Sequence, residues 1–147
     1  MAEKKKMRLR VITPQEIKLD EQVEMVIFRC TTGYMGILPG HEQRSAVLDF
    51  GVMRIIGGHE YERWLAVFGG LVEVKDDVVT VLANAAEWPQ DIDVAHATSE
   101  RERLKQILQE HDDDIELQRD QALLWRNLVR IEMGEYPHMG SLSEIEE

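Results

Sequence analysis

Val52-Met53-Arg54-Ile55-Ile56-Gly57-Gly58, resuming at Tyr61 to Phe68 and continuing as Gly69-Gly70-Leu71-Val72-Glu73-Val74, is the stretch from which the fold is read. Two runs rich in β-branched and aromatic residues flank a glycine pair, which is the sequence form of a hairpin. The second pair, Gly69-Gly70, reads as a further turn before Leu71. Lys75-Asp76-Asp77 then turns the chain into Val78-Val79-Thr80-Val81-Leu82. Toward the N-terminus, Arg8-Leu9-Arg10-Val11-Ile12 alternates and stops at Thr13-Pro14. Gln22 to Cys30 forms a longer β-rich run closed by Thr31-Thr32-Gly33. Six or more short strands with no helix between them predict an antiparallel all-β sandwich or barrel.

The character changes at Trp88-Pro89. Up to residue 86 there are 12 acidic and 11 basic side chains; from 87 to 147 there are 16 acidic and 6 basic. Nearly all of the formal charge of −11 therefore falls on the second part. Pro89 breaks the strand pattern, and Asp91 or Asp93 is placed to cap a helix. Val94, Ala97, Leu104, Ile107 and Leu108 then recur at helical spacing. Asp112-Asp113-Asp114 interrupts them, with Asp113 and Glu116 as a capping-box variant. A second helix follows, with Leu117, Leu124, Leu128 and Ile131 on one face and Trp125 and Val129 beside it. An antiparallel hairpin results, with so narrow an apolar stripe that it is marginal alone. The expected organisation is a β-sandwich over 1–86, a helical hairpin over 87–133 and a disordered tail over 134–147.

Composition removes several functions. A pI near 4.9 excludes nucleic-acid binding as a main role, because phosphate neutralisation needs clustered Lys and Arg. No apolar run reaches the ~18 residues of a membrane-spanning helix. Lys4 to Lys6 are followed by no apolar stretch, so the start does not read as a secretory signal. Cys30, the single cysteine, has no internal partner and reads as a small buried hydrophobe in a reducing compartment. His41 and His59 have no second ligand at metal spacing, so both read as turn residues. Asp112 to Asp114 lack the alternating oxygen ligands of a calcium loop. No nucleophile elbow or phosphate loop is present. Periodicity leaves two readings open: an interaction subunit that docks through its sandwich, or a module that binds a ligand under its hairpin.

Four segments in register add a resemblance. Thr32-Gly33-Tyr34-Met35-Gly36-Ile37-Leu38-Pro39-Gly40-His41 resembles the loop signature of the epsilon subunit of bacterial F-type ATP synthases. Phe50-Gly51-Val52-Met53-Arg54-Ile55, Phe68-Gly69-Gly70-Leu71-Val72-Glu73-Val74 and Val79-Thr80-Val81-Leu82-Ala83 follow in the family's order. The resemblance runs from about Met7 to Met133.

The resemblance implies a sandwich of about ten strands followed by a two-helix hairpin. It also implies a non-catalytic component of the central stalk that needs no cofactor of its own and couples a proton-conducting c-ring to the catalytic head. It places the chain as a peripheral protein on the cytoplasmic face of the bacterial plasma membrane. The loop residues Gly33, Tyr34, Met35, Gly36, Pro39, Gly40 and His41 would face the foot of the gamma subunit and the c-ring. The hairpin would lie on the sandwich, or extend to the alpha and beta subunits of the head and restrain ATP hydrolysis. Some members bind ATP as a regulatory ligand through an Ile/Leu-Asp-x-x-Arg-Ala motif and arginines on the second helix. The corresponding residues here are Ile92, Asp93 and Ala97, with Arg103, Arg126 and Arg130; His96 replaces the motif's arginine and removes its fixed, charged fork. Two other departures stand out. Glu42-Gln43-Arg44-Ser45 is more polar than the family's Ala-Pro-Leu-Leu, and Tyr34 stands where an acid is common. The rival reading is a free-standing sandwich that binds a nucleotide or other small ligand through the hairpin.

Overall fold

The computed structural model describes residues 5–110 and 114–134. The acidic turn at 112–113, the side chains of its proposed cap and of Leu117, and the tail beyond Gly134 lie outside what is described. Eight strands come first: β1 (Met7–Ile12), β2 (Ile17–Val23), β3 (Met25–Cys30), β4 (Gly33–Ile37), β5 (Arg44–Ile56), β6 (Glu62–Lys75), β7 (Val78–Ala83) and β8 (Ala86–Glu87). A 3-10 turn at Pro89–Asp91 leads to α1 (Val94–Glu110) and α2 (Asp114–Met133). The order across the sheet is β2-β1-β7-β6-β5-β3-β4, with β8 against β6. All pairs are antiparallel except β1 with β7, which run parallel.

The sheet folds over one core, into which Leu9, Val26, Phe28, Ile37, Met53, Leu65, Val72 and Val81 project. Eight strands stand where about ten were expected, because β5 and β6 run unbroken for 13 and 14 residues. The expected turn at Gly69-Gly70 is absent. Instead β6 runs through the pair as one strand of 14 residues. Both glycines have positive φ, and a Cβ on Gly70 would strike the carbonyl oxygen of Leu82. The pair therefore acts as a mid-strand bend, the other use of glycine in a strand. Here β6 changes neighbours, from β8 at Ala66 and Val67 to β7 beyond Gly70.

Burial along β6 follows from what covers it. Trp64 to Phe68 are buried without alternation, whereas Leu71 to Lys75 alternate exposed and buried. A run buried on both faces reads as continuously apolar; one with a wet face alternates. The covering element is α2, whose Val129 and Met133 form a second cluster with Val52, Trp64, Ala66 and Phe68.

The run from Gln22 to Cys30 is likewise two strands, broken at Glu24 and lying apart in the strand order. Residues 33–37 of the presumed loop form the edge strand β4. The chain enters α1 as the sequence predicts. Asp93 is the cap: its Oδ1 accepts the His96 backbone N–H at 3.0 Å, and its carbonyl accepts from Ala97. The helices are antiparallel, since Gly134 at the end of α2 lies beside Val94 at the start of α1.

Candidate functional site

Three features of the described surface can make contacts. The first is an apolar ladder. Val47 pairs with Leu71, Leu71 with Leu82, Leu82 with Ile12, and Ile12 with Ile17. Residues in direct register share a face, so five strands contribute to a single row. Val47, Leu71, Leu82 and Ile17 are 52%, 54%, 51% and 57% exposed. A shallow depression of about 240 Å³ runs along the row between Ser45 and Thr80. An isolated exposed leucine means little, but a continuous row marks an interaction face. The sequence reading placed no function on these residues. Alternation within each strand exposes them, and only the register aligns them.

The second feature is the edge formed by β4 and the segment after it. Tyr34 is two-thirds exposed there. Leu38-Pro39-Gly40-His41 closes a β-turn, with the His41 N–H donating to the Leu38 carbonyl at 3.2 Å. Proline before a glycine at φ 85° is the arrangement a type II turn requires. Gly36 packs so closely on Met25 that a Cβ there would lie 3.0 Å from its Cε. The partner-facing residues named from sequence thus lie together on one sheet edge. Of the seven, Gly33 to Gly36 belong to the strand and Pro39 to His41 to the turn.

The third feature is the contact between α2 and the sandwich. Arg126 and Arg130 place their guanidinium carbons 5.3 and 5.4 Å from the Phe68 ring centre, a cation–π arrangement on a buried ring. Arg130 also grips Glu87 of β8 with three N–H···O contacts of 2.9 to 3.0 Å, and donates to Asn127 Oδ1 at 3.1 Å. Phe50 packs edge-on against both Phe68 and Trp125. The buried face of α2 therefore runs through Val129 and Met133, with the aliphatic parts of Arg126 and Arg130 beside them. Of the face assigned from periodicity, Leu124 and Ile131 are half-buried and Leu128 is exposed, while of the two residues set beside it Val129 is buried and Trp125 exposed. The arginines displace that face because their stems cover apolar surface as leucine does while their heads find partners.

The remaining nucleotide-motif residues have structural work. Ile92 packs on the second cluster, Asp93 caps α1, and Ala97 is buried in the seam with Leu104. His96 is exposed. Arg103 lies farther along α1, bonded to Glu100 at 2.6 Å and within the field of Asp120. The structure brings Arg126 and Arg130 together and leaves Arg103 with its own partner. That partnership, chiefly the hydrogen bond, holds the Glu100 carboxyl below its ordinary range and raises Arg103. Arg8 does the same to Asp20 on the β1–β2 edge through two bonds of 2.8 Å. Burial pushes the Cys30 thiol up.

Comparisons with known proteins agree with this geometry. Residues 6–89 match the family model described as ATP synthase, Delta/Epsilon chain, beta-sandwich domain. An ATP synthase epsilon chain of Caldicellulosiruptor saccharolyticus is 36% identical over 127 residues, 86% of this chain and 92% of that one. One of Prochlorococcus marinus is 42% identical over 105 residues, 71% and 77% respectively. Among solved structures, a chain in the Euglena gracilis mitochondrial ATP synthase, described as OSCP/F1/c-ring in rotational state 1, superposes with a TM-score of 0.78. It is 22% identical and is matched over 88% of this chain and 81% of its own, so it attests the fold. With the sandwich matched by its family model and the longer relative matched across most of both chains, this chain belongs to the ATP synthase epsilon-chain family.

Proposed function

We propose that the chain is a non-catalytic rotor subunit of a proton-translocating F-type ATP synthase, seated between the gamma subunit and the c-ring. The observation that carries this is the apolar ladder from Val47 to Ile17. It lies on a hydrogen-bonded sheet, so a load on one strand is shared through the ladder with its neighbours. A torque-bearing contact needs such a surface: broad, apolar and unable to hinge. Gamma takes the ladder face in this reading, and the edge carrying Tyr34 and Leu38 meets the polar loops of the c-ring. The chain is then held at the cytoplasmic face of the membrane by the complex; no helix among the described residues is long and apolar enough to cross one.

The hairpin supplies regulation by leaving the sandwich for the catalytic head. ATP is a candidate ligand of the docked state, with Arg126 and Arg130 as the pair that meets phosphate.

The test is Leu71→Lys, which sets a charge in the middle of the row. Exposure of Leu71 keeps the cost to the isolated fold within about 0.5 kcal/mol. Retention of the full-length chain on a reconstituted, epsilon-depleted synthase is expected to weaken at least tenfold, by roughly 1.4 kcal/mol or more. Unchanged retention with an intact fold refutes the ladder as the docking face.

A further inference from the structure

The turn between β6 and β7 is strained where it need not be. Lys75 pairs with Val78, which leaves Asp76 and Asp77 as the two residues of the hairpin loop. Both have positive φ, 52° and 60°. A two-residue loop of this kind favours glycine at its second position, because a Cβ there is penalised. Asp77 instead reaches out of the turn. Its Oδ1 accepts the backbone N–H of Gly40 at 2.7 Å, across 37 residues of sequence. Its carbonyl accepts the Arg8 N–H at 2.9 Å, which fixes the turn to β1. One residue thus ties the edge segment Leu38–His41 to the rigid interior of the sheet.

Gly40 needs such a tie. It is at φ 85° in an exposed turn, has no side chain, and a Cβ there would find nothing within 4 Å. Within the segment, the turn closes through the 3.2 Å bond from His41 to Leu38. A charge-assisted bond to a backbone N–H is stronger than a neutral one. Glycine at position 77 would suit the turn better yet abolish the acceptor, so an aspartate there trades local strain for the position of Gly40.

We propose that Asp77 is a positioning residue for the edge that docks on the c-ring: it holds Leu38–His41 in the conformation that meets the polar loops of the ring. The inference rests on the docking role proposed above for that edge. Asp77→Gly relaxes the turn and removes the acceptor. Asp77→Asn keeps both the acceptor oxygen and the tolerance of positive φ. Two measurements on the full-length chain separate the possibilities. The first is amide exchange at Gly40 in the free protein, which needs no partner. It should quicken about five- to tenfold in Asp77→Gly and stay near the original rate in Asp77→Asn, the loss of one hydrogen bond. The melting temperature of Asp77→Gly should hold or rise, by up to about 4 °C. The second is retention on the epsilon-depleted synthase, which should fall several-fold in Asp77→Gly and recover in Asp77→Asn.

Unaltered Gly40 exchange in the glycine variant overturns the positioning role. Faster exchange with undiminished retention overturns its bearing on docking. Tyr34→Ala serves as the control: if it too leaves retention unchanged, the failure lies in the docking role of the edge and Asp77 loses its function with it. If Tyr34→Ala weakens retention and Asp77→Gly does not, the failure belongs to Asp77 alone.

Discussion

Arg130 on the last turns of α2 and Glu87 at the end of the final strand are separated by 43 residues and joined by a forked ion pair. Both side chains are about three-quarters shielded from solvent. The pair is the polar fastening of the hairpin to the sandwich, beside an apolar one made by Phe68, Val129 and Met133.

Glu87→Gln should therefore loosen the hairpin selectively. A part-buried charged pair with one charge removed is worth about 1–2 kcal/mol. Amide exchange within 94–134 is expected to accelerate about five- to thirtyfold while β1, β3 and β7 keep their protection. Uniform acceleration across both parts would mean that they open as one unit.

The same substitution bears on nucleotide binding. A phosphate group that meets Arg130 must compete with Glu87, since one guanidinium cannot offer its fork to both. If Arg126 and Arg130 take ATP, Glu87→Gln should tighten the complex about tenfold. Calorimetry with magnesium and ATP reads the constant, and NMR of the His96 region locates the site. No signal at millimolar nucleotide in either protein eliminates a nucleotide site on the hairpin.

Acid should weaken the β1–β2 edge in a defined window. The Arg8 hydrogen bond lowers the folded-state value of Asp20 below its unfolded value. Its stabilisation is complete above the ordinary carboxylate range and is lost as pH falls through the lowered value. Asp20→Asn should flatten the pH dependence of stability below about pH 4 and change it little near neutrality. Glu100 with Arg103 contributes in the same sense on α1. Denaturant midpoints between pH 2 and pH 7 would show both.

How much of this was readable beforehand depended on whether neighbours or distant segments set the pattern. The β1, β7 and hairpin signals are local: alternation, turn residues and the Asp93 cap all lie within a few positions. The bend at Gly69-Gly70 was misread as a turn, because a glycine pair carries the same local signal whether the chain reverses or a neighbouring carbonyl comes close. Periodicity set Leu128 on the α2 face and Val129 beside it, the reverse of their burial, and it left out Arg126 and Arg130, since hydropathy ranks arginine as solvent-seeking and cannot see Phe68 beneath it. The ladder from Val47 to Ile17 was invisible for a different reason. Its members lie on five strands and line up only once the register is fixed.

Cys30 gives a check on the rigidity of the core. It is 2% exposed, and burial raises its thiol, so the reactive thiolate is doubly disfavoured. Labelling by a maleimide at pH 8 should run at least about a hundredfold slower in the native chain than in denaturant. Rapid native labelling would point to frequent opening of β3 from the sheet.

The strand that α2 covers has a consequence for any excursion of the helices. Trp64 and Phe68 sit on the outer side of β6 in one cluster with Val129 and Met133, and the two arginines lie over Phe68. Swinging α2 aside would wet both rings at once and strand Glu87 without a cation. An untethered arm is thus the least favourable arrangement available to this molecule. Departure from the resting pose becomes affordable only where some other body supplies replacement cover, so the position of the arm reports what stands next to it.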